Sequence, residues 1–129
     1  MYRLETTILK NLIYNEEYAR KVILFLTAEY FKEPTERIIF KQAVEFTGKY
    51  NTLPTHEALV INLTESHDLK EEQVQASVEL LNQIRVDRKE PTDQSWLLDQ
   101  TEKFCQDSAL YNAVLESVQI MDDKSGKKE

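Results

Sequence analysis

AEYFKEPTERIIFKQAVEFTGKYNTLPTHEAL, residues 28–59, decides the fold class. Pro34 suits the first turn of a helix, where its missing N–H is no loss. Behind it Ile39, Ala43, Phe46 and Tyr50 recur at steps of four, three and four. At about 100° per residue they form one stripe, which Phe40, Val44 and Thr47 widen to roughly 160°. Arg37, Lys41, Gln42, Glu45 and Lys49 take the other side, with Ile38 the exception. A stripe that wide predicts a central helix with partners on two flanks. Residues 51–54 then read as a tight link. Thr55 is a candidate N-cap, with Glu57 in the first turn of a short helix that carries Leu59 and Leu63.

Toward the N-terminus, Leu4, Ile8, Leu9, Leu12 and Ile13 have helical spacing, so a first helix is expected from Arg3 to Tyr14. Asn15 breaks it and can cap a second helix, whose stripe is Tyr18, Val22, Phe25 and Leu26. Thr27 is a candidate cap for one further turn, with Tyr30 and Phe31 read as wedges closing the core. Toward the C-terminus, Asp68 followed by Glu71 resembles a capping box for a fifth helix with the stripe Val74, Val78, Leu81 and Ile84. Residues 85–91 read as a solvated link, since their charges nearly cancel.

A last, longest helix is expected to be capped by Thr92. Leu97, Thr101, Phe104, Ser108, Tyr111, Leu115 and Val118 keep a four–three rhythm, a coiled-coil-like seam over three heptads. From Asp93 to Met121 it would be about 43 Å long, more than a head of this size needs. Leu110, Ala113, Val114, Ile120 and Met121 add apolar surface off the seam. Leaving such side chains wet forfeits roughly 1.5–3 kcal/mol each, so cover from another chain or further sequence is expected. The alternative is that the first five helices wrap the whole length. The division read from the sequence is therefore a helical head over 1–91, a long helix over 92–122, and a polar, flexible linker or cut end over 123–129.

The 129 residues include only two glycines and three prolines, with 41% hydrophobic side chains. Few sharp turns are available and strict alternation is hard to find, so the expected fold is all-α: a compact head of five or six helices plus the long C-terminal one. The net charge of −7 argues against a nucleic-acid platform, which needs clustered cations. Cys105 alone forms no internal disulfide and fits a reducing compartment. No run approaches ~18 apolar residues and no leader pattern opens the chain, so a soluble cytoplasmic protein without membrane contact is expected.

The chemistry-bearing signals are few. There is no G-x-x-x-x-G-K-[ST] loop and no G-x-G-x-x-G fingerprint to cradle a nucleotide. His56 and His67 are isolated and read as two solvated histidines, with no cluster at metal spacing. Cys105 sits beside Phe104 without a nucleophile signature and reads as an inert thiol. No catalytic, cofactor-binding or metal-binding residue is assigned.

The order of these parts resembles the N-terminal domain of DnaB-type hexameric replicative helicases. Glu5, Ile8, Leu9, Leu12 and Ile13 match the opening of that family. Glu29-Tyr30-Phe31 matches its acidic-then-phenylalanine step with one inserted residue, and Arg37-Ile38-Ile39-Phe40 its arginine–x–isoleucine–phenylalanine signature. Thr55 to Leu63 matches the capped helix that follows. Asp93 to Leu97 with Thr101 to Phe104 is most similar to the T-even-type phage branch. The family often has Gly after the central helix and Asp as the next cap. Tyr50-Asn51 and Thr55 stand here instead, so that turn is expected to be built differently.

The resemblance implies a head plus the first arm of a helical hairpin, assembled between subunits into a dimer or hexamer collar. Primase docks on that collar and a helicase loader engages the enzyme, while the ATP- and Mg-dependent motor lies in a separate domain. The protein-contact residues it points to are Leu110, Tyr111, Val114, Leu115, Val118 and Met121. Under this reading the chain is a non-catalytic part of the primosome of a phage, active in the host cytoplasm. No direct nucleic-acid binding is expected from this domain. A free-standing helical adaptor or inhibitor is the alternative. An enzyme on a helical bundle, using Cys105 or converging carboxylates, is a third.

Overall fold

The computed structural model describes residues 3–126, with side chains through Asp123. Six α-helices follow one another: α1 Leu4–Tyr14, α2 Glu16–Val22, α3 Pro34–Tyr50, α4 His56–Thr64, α5 Glu71–Val86 and α6 Gln94–Gly126. Short 3-10 turns lie at Ala28–Tyr30 and Asp87–Lys89. No strand occurs among the described residues, so the fold is all-α with a long C-terminal helix. No helix among them is long and apolar enough to cross a membrane.

α3 is the central element, packed against α1, α4, α5 and the Ala28–Tyr30 turn. Pro34 opens it. Ile39, Phe40 and Ala43 are buried, while Phe46 is half-buried and Tyr50 is exposed. The stripe therefore serves the core only through its first three turns. Its end is built on Asn51, which adopts the left-handed conformation (φ 55°, ψ 35°) and donates its N–H to the Thr47 carbonyl at 2.8 Å. Asparagine tolerates that conformation better than most side chains, and here it stands where glycine was expected from the resemblance.

Ile8, Leu9, Leu12 and Ile13 of α1 join Tyr18, Val22, Phe31, Leu59, Leu63, Leu81, Ile84 and Leu97 in one core. Phe31 is fully buried, with its ring centroid 5.2 Å from Phe40 and 5.3 Å from Phe104. Tyr30 meets Phe104 edge-on at 6.5 Å. The two aromatic wedges thus clamp the 28–31 turn onto α3 and α6.

Several local expectations are corrected. α2 stops at Val22 rather than near Leu26, and Phe25 lies exposed although Leu26 is buried. Thr27 makes no side-chain cap bond. α5 starts at Glu71 behind Lys70, whose N–H donates to the Gln73 side chain at 2.8 Å, so Asp68 and Glu71 form no capping box. Asp93, not Thr92, accepts the Trp96 N–H at the start of α6, at 2.9 Å. The supposed link from Arg85 is helical through Val86 and turns again at Asp87–Lys89. α6 continues to Gly126, past the Met121 end read from the sequence; residues 127–129 lie outside the described residues.

Polar contacts seat α6 on the head. Tyr18 donates its hydroxyl to Thr101 Oγ1 at 2.6 Å, and Thr101 donates in turn to the Leu97 carbonyl at 2.7 Å. The Asn15 amide donates to Gln94 Oε1 at 2.9 Å. Lys10 is 8% exposed, with its ammonium on the Glu90 carbonyl at 3.0 Å. Glu90 closes the Asp87–Lys89 turn by donating its N–H to the Asp87 carbonyl at 3.0 Å, and a cation there suits a helix C-terminus.

Candidate interaction surface

The seam of α6 has two halves. Leu97, Thr101 and Ser108 are buried against the head and Phe104 is half-buried. Tyr111, Leu115 and Val118 continue the same rhythm but are exposed. From Ala113 to Asp123 every side chain is exposed, so the head does not wrap the full length of α6.

All six residues singled out from the sequence lie on this outer half. Leu110 is 66% exposed, Val114 54% and Met121 67%. At about 100° per residue these three fall with Tyr111, Leu115 and Val118 within roughly 140°. Ile120 is exposed as well but points away from that stripe. A two-helix seam needs a narrower band, so a stripe of this width fits a groove between two elements.

The base of the stripe is held by the 28–33 segment. Asn112 donates its side-chain amide to the Glu29 carbonyl at 3.0 Å. Lys32 places its ammonium 4.0 Å from the Tyr111 ring centroid, in cation–π range. Tyr111 is thus a stripe residue that the head also touches, a contact the seven-residue repeat did not reveal.

Other groups with chemical potential are engaged or dispersed. Glu36 is 4% exposed and receives Arg3 Nε and Nη2 at 3.1–3.3 Å. Burial raises its carboxyl above the ordinary value, against the opposing pull of Arg3. Cys105 is buried, and burial, with Glu102 nearby, pushes its thiol up to about 11. His67 is exposed, but His56 is half-buried, which corrects the reading of two solvated histidines. Its Nδ1 is buried without a bonding partner, and burial with the Arg85 cation lowers its pKa. Among the described residues no three His, Cys, Asp or Glu side chains converge on a metal-sized site. A cavity of about 510 Å³ is an open cleft between α1 and α5 lined by Arg3, Thr6, Lys10, Leu80 and Gln83.

No family model matches the chain. Over 113 residues it is 29% identical to the DnaB-like replicative helicase of Enterobacteria phage T4, and this match covers 88% of the chain. The chain is similar to part of a phage replicative helicase. It spans 23% of that relative's length.

Proposed function

We propose that this chain is the non-catalytic N-terminal assembly and partner-docking domain of a phage replicative DNA helicase. The outer half of α6 is its contact surface. Leu110, Tyr111, Val114, Leu115, Val118 and Met121 pack against another copy in a dimer or hexamer collar, primase docks on that collar, and a helicase loader engages the enzyme. Duplex unwinding driven by ATP and Mg belongs to the motor of the longer parent.

The observation that carries this reading is the seam that leaves the head without losing its apolar rhythm. Six large apolar side chains stand exposed where burial would contribute roughly 1.5–3 kcal/mol each. Contiguous apolar surface of this kind marks interaction sites. The partial similarity to the phage helicase supplies the context.

Light scattering across a concentration series tests it. Molar mass is expected to rise from 15.2 kDa toward a dimer or higher. Leu115→Asp with Val118→Asp is expected to hold the protein at monomer mass while leaving its far-ultraviolet circular dichroism unchanged, since both sites are exposed in the monomer. A wild-type chain that stays monomeric throughout overturns the reading. The parent gene separates it from a free-standing adaptor: a helicase domain predicts a second apolar helix and a Walker-type loop past Glu129, an adaptor a stop codon.

A further inference from the structure

The chain from Ala28 to Glu33 joins two helices whose backbones do not run side by side. Among the described residues α6 lies beside α1, α2 and the Ala28–Tyr30 turn, while α3 lies beside α1, α4, α5 and the same turn. The segment has little to hold its own shape. Phe31 and Glu33 are extended, at φ −89° and −82°, and Pro34 follows, which keeps the residue before it out of the helical region. The Phe31 and Lys32 carbonyls therefore find no acceptor role in a regular ladder.

Arg37 fills that need. It stands in the first turn of α3 and turns its guanidinium back across Pro34. Nη1 donates to the Phe31 carbonyl at 2.8 Å and to the Lys32 carbonyl at 3.0 Å. Arg37 pairs with no carboxylate among the described residues, so its charge serves these two bonds. Bonds from a charged donor are roughly twice as strong as neutral ones. Acting on adjacent peptide groups, they fix the direction of the segment as well as its place. On its inner side Phe31, fully buried, lies between Phe40 of α3 and Phe104 of α6. On its outer side, beyond Ser108, the segment supplies the Asn112–Glu29 bond and the Lys32–Tyr111 contact.

We propose that residues 28–33 are a clasp by which α3 sets the direction of the outer half of α6, with Arg37 as the positioning residue. This role rests on the reading of the arm as an assembly surface and adds what controls how the arm is presented. Every side chain from Ala113 to Asp123 is exposed, so packing on the head does not direct that stretch. Its direction comes from the ties just before it. Those at Tyr111 and Asn112 hang on the segment that Arg37 holds.

Pulsed electron spin resonance between nitroxide labels tests the clasp, on Lys41→Cys and Gln119→Cys in a Cys105→Ala background, with the chain diluted to monomer. Lys41 is exposed on α3, and Gln119 is exposed on α6 outside the stripe. With the clasp intact the pair should give one narrow distance; a broad one refutes the clasp at once. Arg37→Ala, and separately Lys32→Ala with Asn112→Ala, should each lose the narrow distance. A control pair within the head, Lys41→Cys with Glu72→Cys, should keep its own. If either variant retains the narrow distance with the control pair intact, the clasp is refuted. Should Arg37→Ala disturb the control pair, the Lys32 and Asn112 variant, altered only at the outer ties, decides. Arg37 is not on the arm, yet Arg37→Ala should also weaken self-association about threefold or more. Association like wild type would refute the bearing of the clasp on assembly. A chain that never associates refutes the arm as an assembly surface, while the distances still decide the clasp.

Discussion

Arg3→Ala isolates the charge of a buried carboxylate. Glu36 is 4% exposed, and its ion-pair partner is Arg3, at 3.1 Å. Glu5 and Glu33 lie close enough to add repulsion. Breaking a buried pair by removing one member costs about 3–5 kcal/mol. The Arg3 side chain is 51% exposed, so water can approach the gap it leaves and screens part of that cost. The expected loss is therefore about 2 kcal/mol near neutral pH, or a fall in Tm of roughly 6–10 °C for a chain of this size.

The pH dependence gives this prediction its sign. Burial already holds the Glu36 pKa above its ordinary 4.5 in the folded protein, and losing Arg3 raises it further. A carboxyl with a raised folded pKa favours the native state below the unfolded value and loses that advantage as pH rises through the folded value. The Arg3→Ala penalty should thus shrink as pH falls from about 7 toward 4.5. Glu36→Gln removes the charge that Arg3 compensates, so the double variant should be no less stable than Arg3→Ala. Urea unfolding at several pH values, followed by circular dichroism, measures all three. An Arg3→Ala penalty that is independent of pH and unchanged in the Glu36→Gln background would refute the argument.

Two further outcomes follow from buried groups. Tyr18→Phe deletes the bond to Thr101 at the foot of α6 and should cost about 1 kcal/mol in chemical denaturation, with Thr101 still donating to the Leu97 carbonyl. Cys105, buried with its thiol near 11, should react with a thiol reagent at neutral pH only as fast as the head opens, so its labelling rate should rise steeply with added urea.

The helices and their order were legible because apolar residues at helical spacing record which face is buried. Ile8, Leu9, Leu12 and Ile13 of α1, and Leu81 and Ile84 of α5, are buried as that spacing implies. Asn15 and Thr55 cap as their side chains allow, accepting the Tyr18 and Ala58 N–H groups at 3.1 Å. The end of α2 was not legible. Ile23, Leu24 and Phe25 extend the apolar pattern past the last helical residue, and periodicity cannot tell a buried Leu26 from an exposed Phe25. Caps were ambiguous wherever two candidates adjoined, as with Thr92 and Asp93.

Long-range polar partners left no local trace. Arg3 meets Glu36 across 33 positions and Tyr18 meets Thr101 across 83. Neither pairing follows from spacing, because tertiary packing chooses the partner. The exposure of Leu110, Tyr111, Val114, Leu115, Val118 and Met121 was legible because the apolar rhythm of α6 runs on past the residues that the other helices bury. Lys32 over Tyr111 could not, since it depends on where the 28–33 segment comes to rest.

A helix that is gripped at one end behaves as a lever. The grip on α6 ends with Phe104, Ser108, Asn112 and the Lys32–Tyr111 contact, leaving about 21 Å of rod beyond it. A tilt of about 10° at that fulcrum moves the tip by roughly 4 Å. Small repacking beneath Phe31 and Phe104 is thereby geared up into displacement at the far end of α6. A substitution in the head can misalign the arm without altering a single side chain on its outer face.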